Sequence, residues 1–154
     1  MARASACGKV ILFGEHAVVY ERPAIAVPVR AVHATAEVTT GTAGQGLRIE
    51  ASDLDQRIWL AGAPAGNPLA MAVRLAMTRL ALASVPDWVV TVHSTIPIAS
   101  GMGSGAAVSI ALIRAMAQAA QHDLAPEEIS ALAFEVEKLH HGTPSGIDNT
   151  VIAY

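Results

Sequence analysis

The chain has 154 residues, 53% of them hydrophobic and 15% charged, with a formal net charge of −3 and aromatics at 4%. That length affords one domain with a core of ordinary size. The acidic balance and scarcity of rings argue against a nucleic-acid surface, which wants a basic stripe and stacking platforms.

The single cysteine, Cys7, cannot close an internal disulfide, which fits a reducing cytoplasm. Arg3 and Lys9 stand near the start, but no sustained apolar run leads to a small-residue cleavage site, so no signal peptide is expected. Residues 9–13 read as a short buried strand stopped at Gly14, and residues 17–20 and 24–29 as extended runs around a Glu21-Arg22-Pro23 turn. Residues 32–39 alternate moderately, residues 40–46 are a loop, and residues 47–51 and 57–61 suit two further strands turning through 53–55. The character then changes. Asn67 before Pro68 reads as a helix cap with proline in the first turn, and Leu69, Ala72, Val73, Ala76, Leu80 and Ala83 follow at helical spacing. Residues 88–93, WVVTVH, are a strong strand.

Next comes PIASGMGSGAA at 97–107, a loop with three glycines that opens into an alanine-rich helix running to about Gln121. That helix is apolar almost all round, with Arg114 and Gln118 its main polar positions, so it belongs in the centre of the fold. Residues 94–113 carry no charge, but Pro97 and the glycines break the stretch, and a membrane span is not expected. A last helix starts at Pro126, with Glu127 and Glu128 against the positive end of its dipole, and ends before Gly142 and Pro144. Strands first and helices after, around one strong strand, make an α+β layout.

A strand, a glycine-rich turn and a helix N-terminus together can bind an anion, because unpaired amides and the helix dipole point the same way. The Walker pattern G-x-x-x-x-G-K-[ST] does not occur. The dinucleotide pattern fails too, since a helix rather than a strand follows Asp123. A different phosphate loop or a plain strand-to-helix turn remain. Two other stretches bear on the choice. In GKVILFGEHAVVY, at 8–20, charged residues stand at both ends of an apolar strand. In the helix from Pro126, the apolar stripe runs through Ile129, Leu132, Ala133, Val136 and His140, and Glu137 lies on its flank, where a carboxylate wants a cation. His140-His141 lacks the i, i+4 spacing of a helical zinc pair and reads as structural.

GKVILFGEHAVVY at 8–20, PIASGMGSGAA at 97–107 and HGTPSGIDN at 141–149 together resemble the GHMP small-molecule kinases, and among them the mevalonate kinases. The middle string resembles the family's general phosphate signature; the outer two are the more specific. The resemblance implies a kinase N-terminal domain similar to the second domain of ribosomal protein S5, with an unusual left-handed β-α-β crossover. It implies that the backbone of Ala99, Ser100, Gly101, Met102, Gly103, Ser104 and Gly105 holds the phosphates of ATP. By the same resemblance Glu137 is the magnesium-binding acid, Asp148 the general base for the substrate hydroxyl, and Lys9 the cation paired with that base. Glu15, His16 and Ser145 match positions that line the mevalonate pocket.

Two departures matter. The family commonly has a second serine in the loop, touching the metal; here that position is Gly105, so Ser104 or a water takes its place at Mg²⁺, or the ion is held less tightly. Relatives also continue through a second domain beyond the point matched by Tyr154, so the chain reads as an N-terminal half. ATP and mevalonate are the implied ligands, in the cytoplasm, with no nucleic acid or membrane; a homo-oligomer or a C-terminal kinase half is the implied protein partner. Another member of the family, acting on homoserine, a sugar or a phosphorylated mevalonate, is the alternative enzyme, and a non-catalytic binding domain the alternative outside enzymes.

Overall fold

The computed structural model describes residues 1–14, 20, 22–141 and 144–154, with the backbone alone of His140 and His141. Among the described residues, five strands form one sheet in the order β1-β2-β5-β3-β4, comprising β1 (Ala2–Phe13), β2 (Ile25–Thr40), β3 (Arg48–Ala51), β4 (Gln56–Trp59) and β5 (Trp88–Ser94). Neighbours are antiparallel except β3 and β5, which run parallel and are joined through β4 and the helix α1 (Pro68–Arg79). Three more helices follow, α2 (Ser104–Ala119), α3 (Pro126–His141) and α4 (Ile147–Ala153).

The expected α+β layout is present, and its helix starts hold to the residue. The Asn67 side chain accepts from the Ala70 amide at 2.9 Å, capping α1 as its position before Pro68 predicts. At the start of α3, Glu128 accepts from the Ala125 amide and pairs with Arg79 of α1. Among the described residues, no helix is long and apolar enough to cross a membrane.

The strands differ from expectation in two places. β1 begins at Ala2, not Lys9, and β2 runs unbroken through both segments that the sequence separates. Alanine is a poor strand former, so ARASACG carries little strand signal. Its partners supply the reason it pairs. Ala6, Ala34 and Ala36 turn inward as small side chains, and α2 lies directly on β1 and β2. Close approach of helix and sheet is a packing gain that only the third dimension reveals. α2 itself is central, with Ile110, Leu112, Ile113 and Met116 fully buried. Each such side chain contributes roughly 2 kcal/mol by leaving water.

α4 has no counterpart in the sequence reading. Seven residues, IDNTVIA, offer less than two full turns and contain four β-branched side chains, so local preference is weak. Its packing against α3, α2 and β1 decides it.

Candidate active site

The loop after β5 returns to β1 and is tied there, the Lys9 amide donating to the Met102 carbonyl at 3.0 Å. Within it Ser100 Oγ donates to the Pro97 carbonyl at 2.7 Å. Gly103 takes the position before α2 at φ 71°, a left-handed conformation that costs other residues about 1–2 kcal/mol. Space is the stricter demand. A Cβ on Gly103 would lie 2.9 Å from Ile152 Cδ1 and 3.2 Å from both Asp148 Oδ2 and Lys9 Cγ. The loop can therefore press against β1 and α4 only because this residue has no side chain.

Lys9 is 5% exposed, and its Nζ lies 2.9 Å from Asp148 Oδ1. A cation that deep needs a paired anion, and removing one partner of such a pair is strongly destabilising. Glu137 is buried as well, within the stripe of α3 rather than on its flank, while its neighbours Glu135 and Lys138 pair with each other on the outside at 2.6 Å. Its Oε1 stands 3.1 Å from where a Cβ of Gly105 would be. The carboxylate thus occupies the space that a side chain at 105 would claim.

These parts enclose one cavity of about 470 Å³, lined by residues 99–105 together with Glu137 and Asp148. The structure brings together every residue expected to hold phosphate or metal, and Lys9 with the expected base. Ser145 is exposed at the start of α4, accepting from the Ile147 amide at 3.4 Å, and does not line that cavity. Glu15 and His16, expected at the substrate pocket, fall outside the described residues.

A second cavity of about 410 Å³ adjoins the first, sharing Ser104 and Gly105, and is walled by apolar side chains such as Leu54, Leu69, Val92, Ile96, Ile98 and Val108. Sequence reasoning missed it, since its residues come singly from several elements. One wall is the short turn of Ser52–Leu54, stitched to β5 where Ser52 Oγ donates to the Val92 carbonyl at 3.1 Å and the Ser94 amide to Asp53 Oδ2 at 2.6 Å.

The sequence profile described as "GHMP kinases N terminal domain" matches residues 69–154. The chain belongs to the GHMP kinase family. A mevalonate kinase of Thermococcus sibiricus is 37% identical over 97% of this chain and 48% of that protein. The crystal structure of Methanococcus jannaschii mevalonate kinase superposes with a TM-score of 0.88 at 29% identity, covering 99% of this chain and 50% of that one. L. major mevalonate kinase in complex with R-mevalonate gives a TM-score of 0.75 at 27% identity, covering 100% and 47%. This GHMP kinase chain therefore spans about half the length of the relatives it matches, corresponding to their N-terminal half.

Proposed function

We propose that this chain is the ATP-binding half of a mevalonate kinase, which transfers the γ-phosphoryl of ATP to the C5 hydroxyl of mevalonate. The observation that carries the reading is the ion pair of buried Lys9 with the partly exposed Asp148, whose carboxylate lines the glycine-loop cavity together with the buried Glu137. The amides of residues 99–105 and the N-terminus of α2 bind the phosphates, and the adjoining apolar cavity suits the base of the nucleotide, since Ser104 and Gly105 belong to both. Asp148 accepts the proton of the hydroxyl as its oxygen bonds to the γ-phosphorus and the bridging oxygen leaves with ADP. Lys9 holds Asp148 in place and offsets charge on the transferring group. Mg²⁺ fits the donor set, because Glu137 offers a carboxylate beside the Ser104 hydroxyl in the same cavity and this ion takes one or two protein oxygens plus phosphate and water. When bound it neutralises charge on the phosphates.

Asp148→Asn, made in the chain joined to the second half of its relatives, should lower turnover of mevalonate at least about a hundredfold, the scale of a lost general base. ATP affinity should change little, as the phosphates are held elsewhere. Near-normal turnover would remove the base assignment and leave Lys9 as the activating group.

A further inference from the structure

α4 presents two faces to the protein. Asp148 and Ile152, one turn apart, face β1 and the glycine loop, where Asp148 Oδ1 meets Lys9 Nζ at 2.9 Å and Ile152 crowds Gly103. Asn149 stands one residue on, about 100° round the helix, and faces α3. Its Nδ2 donates to the Ser130 carbonyl at 3.1 Å and to Ser130 Oγ at 2.8 Å. Both residues are all but sealed from solvent, at 5% and 8% exposure. Ser130, Phe134 and Glu137 follow one another at helical spacing along α3 and form a single stripe. Ser130 holds Asn149, Phe134 lies 3.7 Å from where a Cβ of Gly146 would be, and Glu137 reaches the cavity. The same stripe that grips α4 at one end therefore carries the proposed metal ligand at the other.

The far end of α4 is held differently. Arg114, from α2, donates to the Ala153 carbonyl at 2.9 Å and to the Ser5 carbonyl of β1 at 3.0 Å. That contact anchors the C-terminal end of the helix. Asn149 fixes which way the helix faces. Apolar contacts on a helix this short are non-directional and would let it turn, whereas a buried amide with two partners has one satisfied orientation.

We propose that Asn149 is a positioning residue for Asp148, and that its bonds to Ser130 set the rotation of α4 which aims the carboxylate at Lys9 and the cavity. The proposal rests on the kinase reading above only for its consequence in catalysis. With side chains about 6 Å from the helix axis, a rotation of about 20° carries the carboxylate about 2 Å, enough to break its contact with Lys9. Displacements of about 1 Å are known to cost about a hundredfold in rate.

The test is zero-length carbodiimide coupling of Lys9 to Asp148 in the 154-residue chain, quantified by mass spectrometry, with the surface pair Lys138–Glu135 as internal standard. Asn149→Leu and the milder Ser130→Ala are each compared with the parent at temperatures where circular dichroism shows them folded. Yield at Lys9–Asp148 should fall at least about fivefold relative to the standard, and the reciprocal double variant Asn149→Ser with Ser130→Asn should recover much of it. A folded variant with lowered melting temperature but unchanged coupling would overturn the proposal and make the bond merely structural. In the chain joined to the second half of its relatives, Asn149→Leu should lower kcat about a hundredfold with KM for ATP little changed. Loss of coupling in a protein that never phosphorylates mevalonate would leave the positioning role standing and sink the kinase reading instead.

Discussion

Each end of β5 carries a glycine-rich loop, and the two are built on opposite terms. At the Trp88 end, the loop of residues 41–46 closes on an anion of its own. Asp87 accepts from the Gly44 amide at 2.8 Å and from the Gly46 amide at 2.6 Å, and its carbonyl takes the Gly41 amide at 2.7 Å. Those amides hold the Asp87 carboxyl below its ordinary range, the Gly44 bond contributing most. At the Ser94 end, no such anion closes the loop of residues 97–105 among the described residues. Among the described residues, no side chain accepts a hydrogen bond from the amides of residues 99–105, and α2 starts without a side-chain cap. Of the carboxylates that line the cavity, Asp148 is held by Lys9, and Glu137 stands beside Gly105. Glycine richness alone is therefore ambiguous between a structural turn and an anion site. What separates them is whether the fold supplies the acceptor or leaves donors facing a cavity.

The sharpest way to break this contrast is a matched pair of substitutions. Gly44 and Gly103 both have positive φ, at 77° and 71°. Gly103→Ala adds a methyl at 2.9 Å from Ile152 and against the Lys9–Asp148 pair, whereas Gly44→Ala meets nothing within 4 Å. Thermal melts and MgATP titrations should show Gly103→Ala losing at least about tenfold in nucleotide affinity along with stability. Gly44→Ala should show only the backbone cost of about 1–2 kcal/mol. Comparable loss of nucleotide affinity in both would mean the loops are not distinct in kind.

A smaller effect probes the self-closed loop. Because the folded Asp87 carboxyl lies below its ordinary value of 3.8, its contribution to stability is fully present above that value. It is lost as pH falls from there through the folded value. Asp87→Asn should abolish that acid-side dependence, speed hydrogen exchange at the Gly44 and Gly46 amides, and leave nucleotide titration untouched. Exchange that stays slow in the variant would show that the carboxylate is not what closes the loop.

The smallest effect concerns Gly105, beside the Glu137 carboxylate. A side chain at 105 would sit 3.1 Å from Glu137 Oε1, so Gly105→Ser requires the carboxylate to yield by a few tenths of an ångström and sets a hydroxyl beside it. The Mg²⁺ concentration needed for half-maximal nucleotide binding should fall a few fold in Gly105→Ser and rise in Ser104→Ala. If Ser104→Ala leaves that titration unchanged, Glu137 and water suffice for the ion.

Much of the architecture was legible because it is written locally. Asn67 and Pro68 mark a helix start through a hydrogen bond between neighbours, β5 is rich in β-branched residues, and α2 is apolar almost all round. Glu137 was recognisable as out of place on an apolar stripe, although the structure sets it deeper in that stripe than the helical wheel does. The motif strings named the residues of the site by resemblance, without saying why those residue types should meet.

Their meeting is the part that tertiary structure alone decided. Lys9 and Asp148 come from opposite ends of the chain, and nothing in the composition of either segment specifies a 2.9 Å contact. The short α4, the alanine-lined half of β1, the apolar cavity beside the loop and the Asn149–Ser130 bond were all silent in the sequence. Local preference is weak in each, and each is stabilised by partners far along the chain. By itself the sequence determined the helices, the strong strand and a loop able to receive an anion, because caps, periodicity and glycine act over a few residues. Which loop keeps its amides for a ligand, and which way the proposed base faces, depends on long-range packing and hydrogen bonds that exist only once the chain has folded.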